Sequence, residues 1–380
     1  MAKRTFINLL ALLLMFPVVH AQEFSHHVRM GVVLPLKEKS SRGAKMVEFY
    51  QGLLMAVDSV KRMGCSVDVT AVHSGTSSGS IDSLIAKSAF SNCDVIFGPL
   101  DVAQLPALAD YCDLHGIRLV VPFSSLATQV TGHPLHYLVN APRFMMQRQA
   151  AWFVQQLFAE DNVIVVESNE KNEEGTALVE RVRMAMDEKD LYVQQVNINA
   201  SNDAFFQVFD TERMNVLLLD SSTLPALNAF RAKLRALMTA HPDCRISVFG
   251  YPAWQSYASQ VQSDLFQFDT YIYTSFYRDP NDHRVQAFEQ RFKNHFGHAM
   301  GATFPRYGLF GFDLGFFFLS GIGQYGELFE VNHVAINTDP YQNPLNFQKQ
   351  STNDGYINDF IELVHYANYH ATEILYRNQE

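Results

Sequence analysis

Short apolar runs alternate along the chain with longer amphipathic stretches. Residues 28–36 (VRMGVVLPL) form a valine-rich run closed by a polar loop, the pattern of a parallel strand buried on both faces. Residues 46–63 then carry Phe49, Leu53, Ala56, Val57 and Val60 at helical spacing, and Gly64 stops the helix. The alternation continues with a strand at 67–72, a helix at 81–90, a strand at 94–97 and a helix at 102–115 with Gly116 as its C-cap. A strand at 117–121 ends in Pro122-Phe123-Ser124-Ser125. Strand and helix in strict alternation predict a parallel sheet with right-handed crossovers.

The rhythm restarts after residue 142. Helices are predicted at 145–158, 176–186 and 224–238, and strands at 162–166, 192–198, 215–219 and 246–249. A strand at 270–276 and an amphipathic helix at 284–296 follow. Residues 308–322 (GLFGFDLGFFFLSGI) are strongly apolar but too short for a membrane span, and Asp313 sits mid-run, so a helix buried among other helices is expected. The polar and aromatic tail, 342–380, reads as closing strands with a late crossover. The fold class is therefore α/β, with two Rossmann-like lobes of parallel sheet joined by a multi-strand hinge. Lobe 1 is expected at 28–141 plus about 270–331, and lobe 2 at 142–269 plus about 332–380.

The N-terminus adds a location. Lys3 and Arg4 precede an apolar run over residues 5–19, and Val19-His20-Ala21 ends it in the manner of a secretory signal peptide cleaved after Ala21. Export to the periplasm is the expectation. Losing Lys3 and Arg4 with the leader takes 29 basic side chains to 27 against 39 acidic, a net charge of −12. That balance disfavours nucleic acid and anionic lipid as partners. The length of 380 residues exceeds the usual single core, and 48% apolar residues supply two.

Candidate chemistry is sparse. Ligands of parallel α/β sheets bind beyond the carboxyl ends of the strands. In lobe 1 that rule selects Lys37-Glu38-Lys39, Ser74, Asp101 and Ser124-Ser125; in lobe 2 it selects Glu167-Ser168, Asp220-Ser221-Ser222 and Tyr251. The serine pairs stand before helices, where N-capping and ligand contact use the same hydroxyl. Tyr251 with Trp254 forms either an aromatic wall or, preferably, hinge packing. Arg143, at the first crossover, either reaches an anionic ligand or makes an interlobe ion pair. The site set is Asp101, Ser124, Ser125, Arg143, Asp220, Ser221 and Tyr251.

Gly75-Thr76-Ser77-Ser78-Gly79 fits the G-x-S-x-G pattern between a strand and a helix, but no partner Asp or His can be placed, and a flexible loop is preferred to a hydrolase centred on Ser77. His26-His27 and the segment His133 to His136 read as surface residues. Cys65, Cys93, Cys112 and Cys244 include no C-x-x-C pair, so no metal site is expected. A Cys93–Cys112 disulfide is conceivable, with four buried thiols preferred. No cofactor motif occurs.

The ordered set of pieces resembles the type I periplasmic-binding-protein superfamily, the fold of the branched-chain amino-acid binding proteins, over most of the chain. Val33-Leu34-Pro35-Leu36 is similar to the family's opening strand, the segment GLLMAVD from Gly52 to its first helix, and Ile96-Phe97-Gly98-Pro99-Leu100 to its third strand and turn. Leu119-Val120-Val121-Pro122 matches the fourth strand, and Phe312-Asp313 the family's Tyr-Asp-Ala helix. The pattern also resembles proteins of Bacteroidota with this domain, sometimes beside peptidoglycan-binding modules. The resemblance implies capture of a small molecule, amino acid or peptide-like, in an interlobe cleft by a non-enzymatic, monomeric protein, for an ABC-type transporter or a sensor. The alternative it carries is an envelope interaction protein, such as a regulator of peptidoglycan synthesis. Ser124 and Ser125 fall where the family grips a ligand carboxylate, and Asp101 departs from the family's small polar residue.

Overall fold

The buried strands sort their side chains to two faces, and each face receives helices. The computed structural model describes residues 24–75, 78–86, 90–336, 338–367 and 370–374; the expected leader and Ser77 lie outside the described residues.

The first series is β1 (Val28–Leu34), α1 (Ser41–Arg62), β2 (Val67–His73), α2 (Ser78–Ile85), β3 (Val95–Phe97), α3 (Leu105–His115), β4 (Arg118–Val121) and β5 (His136–Leu138). The second is α4 (Arg143–Leu157), β6 (Asn162–Glu167), α5 (Glu173–Asp187), β7 (Gln194–Asn197), α6 (Asn202–Phe206), β8 (Asn215–Leu219), α7 (Leu224–Ala240), β9 (Ile246–Gly250), α8 (Pro252–Gln255), α9 (Ala258–Gln267) and β10 (Thr270–Thr274). Then come α10 (His283–Phe296), α11 (Tyr307–Tyr325), α12 (Phe329–Asn332), β11 (Phe347–Lys349), β12 (Tyr356–Asn358), β13 (Glu362–Ala367) and β14 (His370–Ile374).

Two seven-stranded sheets result, ordered β11-β12-β5-β4-β3-β1-β2 and β14-β13-β10-β9-β8-β6-β7. The parallel parts repeat one order, 2-1-3-4-5 and 7-6-8-9-10, so each lobe is a doubly wound unit with a switch point between its first and third strands. In the first lobe Val95, Phe97 and Val120 face α1 and α11, while Ile96, Leu119 and Val121 face α3. That alternation explains why the strands read as unbroken apolar runs.

The lobe boundaries differ from expectation. β10, expected with lobe 1, pairs in parallel with β9, Thr270 opposite Val248, and antiparallel with β13. Conversely, β11 and β12, expected with lobe 2, extend the first sheet, β12 pairing with β5. Periodicity identifies a strand but not the sheet whose edge it joins. The chain thus crosses between lobes three times: after β5, after β10 and between β12 and β13.

Some elements start or arise where the pattern is weak. α1 begins five residues before position 46, because Ser40 caps it by accepting from the Gly43 amide at 3.1 Å. Gly116 closes α3 at φ 65°, as its position predicts. β5, α6 and α9 were not anticipated; β5 is three residues long and opens with His136, which is fully buried rather than at the surface.

The apolar stretch after residue 306 is α11, and it lies against α1 backbone to backbone. A Cβ on Gly52 would meet the Gly308 carbonyl oxygen at 2.1 Å, and one on Gly311 the Phe49 carbonyl oxygen at 2.0 Å. Among the described residues no helix is long and apolar enough to cross a membrane. Asp313, inside α11, is buried and accepts backbone N–H groups of Tyr341, Gln342 and Asn343 at 2.9, 2.9 and 3.0 Å.

Candidate functional site

The switch-point rule directs attention to the loops after β1 and β3 in the first lobe. The loop after β1 leads into α1, whose first five residues include Arg42 and Lys45; the loop after β3 presents Leu100 and Asp101. Arg42 Nη2 and Asp101 Oδ1 form an ion pair across the switch point. Asp101 Oδ2 is buried and has no hydrogen-bond partner.

Beside this pair lies a concavity of about 540 Å³. Its apolar wall is aromatic: Phe310 stands edge-on to Phe123 and Phe276, with ring centroids 6.0 and 5.1 Å away, and Phe123 is 6.4 Å from Tyr307. Its rim is cationic, with Arg42 and with Lys45, whose Nζ lies 5.8 Å over the Tyr307 ring. Asn140, on the first crossover, donates through Nδ2 to the Pro122 carbonyl at 3.1 Å and keeps a buried Oδ1 without a partner. Phe276 comes from the second crossover, so two of the three interlobe connections line this space. Burial, with the Glu48 charge adding to it, raises the Tyr307 phenol above its ordinary range, so its hydroxyl stays protonated and able to donate.

The second lobe repeats the charge arrangement. Lys171, in the loop after β6, lies 3.4 Å from Asp220 Oδ2, in the loop after β8, and 3.0 Å from Glu167. Asp220 Oδ1 also accepts from the Ser168 amide and hydroxyl at 2.8 and 2.7 Å. Asn172 joins the loops again, donating to the Ser222 hydroxyl at 2.8 Å and accepting from its amide at 3.2 Å. α5 comes so near that a Cβ on Gly175 would sit 2.1 Å from the Asp220 carbonyl oxygen. The loops of this wall are therefore bonded to each other.

The sequence-selected residues divide accordingly. Asp101 lies at the switch point. Ser124 accepts from the Leu126 amide at 3.3 Å within its own turn, and Ser125 is exposed beyond it. Arg143 pairs at 3.5 Å with Glu173, a neighbour in its own lobe, so the expected interlobe ion pair is replaced by an intralobe one. Ser221 is fully buried, its hydroxyl 3.0 Å from Thr223, and Thr223 rather than a serine caps α7. Tyr251 and Trp254 are fully buried with centroids 5.5 Å apart, and the Tyr251 hydroxyl donates to the Leu219 carbonyl: this is packing, not a wall. Ser74 is buried, its hydroxyl donating to the Gly75 carbonyl.

Arg42, Lys45, Phe276 and Tyr307 were missed. Arg42 carried a signal: a basic residue in the first turn of a helix that follows the opening strand opposes the helix dipole and calls for an anionic neighbour.

No family model matches the chain, and no curated protein matches it. Solved structures do. A protein from Rhodospirillum rubrum, assigned to branched-chain amino acid ABC transport, aligns at 16% identity with TM-score 0.66, covering 92% of this chain and 100% of that one. A periplasmic ligand-binding protein of a branched-chain amino acid ABC transporter from Burkholderia xenovorans aligns at 10% identity with TM-score 0.58, covering 92% and 95%. An ABC transporter substrate-binding protein from Desulfitobacterium hafniense, in complex with Leu, aligns at 12% identity with TM-score 0.54, covering 92% and 100%. With its two sheets of repeated strand order and three crossings, the chain has the type I periplasmic-binding-protein fold.

Proposed function

We propose that this protein is an exported solute-binding protein that closes its lobes on a small carboxylate-bearing molecule with an apolar or aromatic body. One observation carries the reading: the aromatic concavity at the first-lobe switch point, rimmed by Arg42 and Lys45 and lined by two crossovers. The rings supply apolar contact area, the guanidinium and ammonium fix a carboxylate, and Asn140 Oδ1 accepts from an amine or amide. Closure about the three crossings would bring the Lys171–Asp220 wall toward the rim. These groups hold and orient; binding without chemistry is the proposed activity, and delivery to an ABC-type transporter or a sensor its use. The structures it resembles, with their printed roles in ABC transport, support this reading, and the leader-like residues 1–21 support a periplasmic location.

A thermal-shift screen of the chain from Gln22 onward against amino acids, short peptides, sugars and muropeptides tests it. A ligand at 100 times its Kd stabilises by about 2.7 kcal/mol. The expected hit is an apolar carboxylate whose shift is lost in Arg42→Ala and Phe123→Ala. A panel with no hit, or a hit indifferent to both variants, overturns the reading; the former outcome favours a protein-binding envelope factor.

A further inference from the structure

At the far edge of the first lobe, one carboxylate and two imidazoles converge. Asp113 sits in the last turn of α3, His133 in the loop before β5, and His136 at the first position of β5. One ligand atom from each lies within 4.8 Å of the others. His133 Nδ1 is 2.5 Å from Asp113 Oδ2, and His136 Nε2 is 3.2 Å from Asp113 Oδ1. This cluster is at the amino-terminal edge of the sheet, where α3 ends and β5 begins, opposite the carboxyl edge that carries the cleft.

His136 makes the cluster more than a surface ion pair. Its side chain is 0% exposed, Nδ1 has no hydrogen-bond partner, and Nε2 has only the 3.2 Å approach to Asp113 Oδ1. A buried polar group left so costs about 1–3 kcal/mol, and native structures rarely tolerate it without a role. A metal ion needs only the lone pair of Nε2 and would satisfy it.

The backbone around the cluster is fixed before any ion arrives. The Gly355 amide donates to the Val130 carbonyl at 2.7 Å, the Gly132 amide to Asp354 at 2.9 Å, and the His136 amide to the His133 carbonyl at 3.1 Å. Gly355 lies so close that a Cβ there would be 2.4 Å from the His136 carbonyl oxygen. His133 and His136 now stack, with centroids 4.5 Å and planes 6° apart. His136 is buried, and His133, on the solvent side, would turn about its side-chain torsions to aim at the same point. Tetrahedral ligands about 2.0–2.1 Å from zinc lie roughly 3.3 Å from each other, close to the His136–Asp113 separation.

We propose that Asp113, His133 and His136 form a binding site for a divalent transition-metal ion of the zinc type, with its fourth position open to solvent. Two imidazoles disfavour magnesium and calcium, which select all-oxygen sites. The bound ion would tie the end of α3 to the start of β5.

The test uses the chain from Gln22 onward, stripped with EDTA and titrated with Zn²⁺ alone. The expected result is one equivalent bound by calorimetry and by metal analysis after gel filtration, with a raised melting temperature. Asp113→Ala and His133→Ala, both on the solvent side, should keep the apo melting temperature and lose at least tenfold in affinity. Co²⁺ in place of Zn²⁺ should give visible bands of a low-coordinate nitrogen–oxygen site that both variants abolish, and Mg²⁺ and Ca²⁺ should bind negligibly. Substoichiometric zinc, or one equivalent retained unchanged in both variants, overturns the assignment. The site shares no residue with the cleft, so its failure and that of the solute-binding reading are separate events.

Discussion

Arg42, in the first turn of α1, is ion-paired with Asp101, in the loop after β3. The pair spans the switch point of the first sheet, as Lys171 and Asp220 span that of the second. In both lobes a carboxylate already occupies the cation that would greet an anionic ligand. A ligand carboxylate must compete with Asp101 for the guanidinium, and Asp101 Oδ2 has no other partner. Asp101→Asn should therefore tighten an apolar carboxylate by about three- to tenfold, while Arg42→Ala should weaken it by about tenfold or more, since a hydrogen bond to a charged group contributes about 1.5–3 kcal/mol. Calorimetric titration of both variants with the screening hit measures this. Equal weakening in both would mean the pair itself, rather than a free Arg42, shapes the site.

The contact of α1 with α11 gives a prediction about stability alone. Gly52 and Gly311 each face a backbone carbonyl of the other helix, at 2.1 and 2.0 Å from where a Cβ would stand. Backbone cannot swing aside as a side chain tip can, so Gly52→Ala or Gly311→Ala must push the helices apart. The cost should reach about 3 kcal/mol, the upper part of the overpacking range. Chemical denaturation of each variant checks it. A loss below about 1 kcal/mol would show that the helices slide without penalty.

How much of this was legible in the residues follows from what each signal encodes. The parallel strands were, because unbroken apolar runs such as NVIVV and NVLLL exclude a half-exposed strand. The sheet membership of β10, β11 and β12 was not, since an edge assignment depends on contacts a hundred residues away. The carboxyl-edge rule points to Asp101, which the structure places at the switch point beside Arg42. Tyr251, found by the same rule, turned inward because its hydroxyl reaches the Leu219 carbonyl. Phe276 and Tyr307 were invisible: nothing local says that residues so far from Phe123 share its pocket. His133 and His136 read as surface residues for the same reason: Asp113 stands twenty residues before His133 and on another element.

The cysteines lead to a labelling experiment. All four are free thiols, and Cys65, Cys93 and Cys112 are buried. Burial, with the charge of Asp94 adding to it, pushes the Cys93 pKa to about 11, and burial drives Cys112 further up. The thiolate is the nucleophile, so these groups should be nearly inert at pH 8. Cys244, half-buried, should label first with a thiol reagent in the native protein, and the other three only on unfolding. Rapid native labelling of Cys112 would contradict the packing of α3.

Asp313 provides a pH dependence that discriminates between two effects. Burial pushes its carboxyl up to about 7, against the three backbone amides of Tyr341, Gln342 and Asn343 and the more distant Arg284, all of which favour the ionised form. In the unfolded chain the group titrates near 3.8. Between those values the folded protein holds a proton that the unfolded chain has released, so stability falls as pH rises from about 4 to about 7, then levels off. Asp313→Asn removes this titration. It also sets an amide NH₂ against backbone donors, which should cost roughly 1–3 kcal/mol and loosen residues 341–343. Measured by denaturation across pH 4 to 8, the advantage of the native protein over Asp313→Asn should thus be largest near pH 4 and smallest above pH 7. An advantage that stays level across that range instead would mean that the three amide donors outweigh desolvation, since both states would then be ionised above about pH 4. Asp313 would then be ionised throughout, stabilising the loop that leads to β11 as a buried carboxylate.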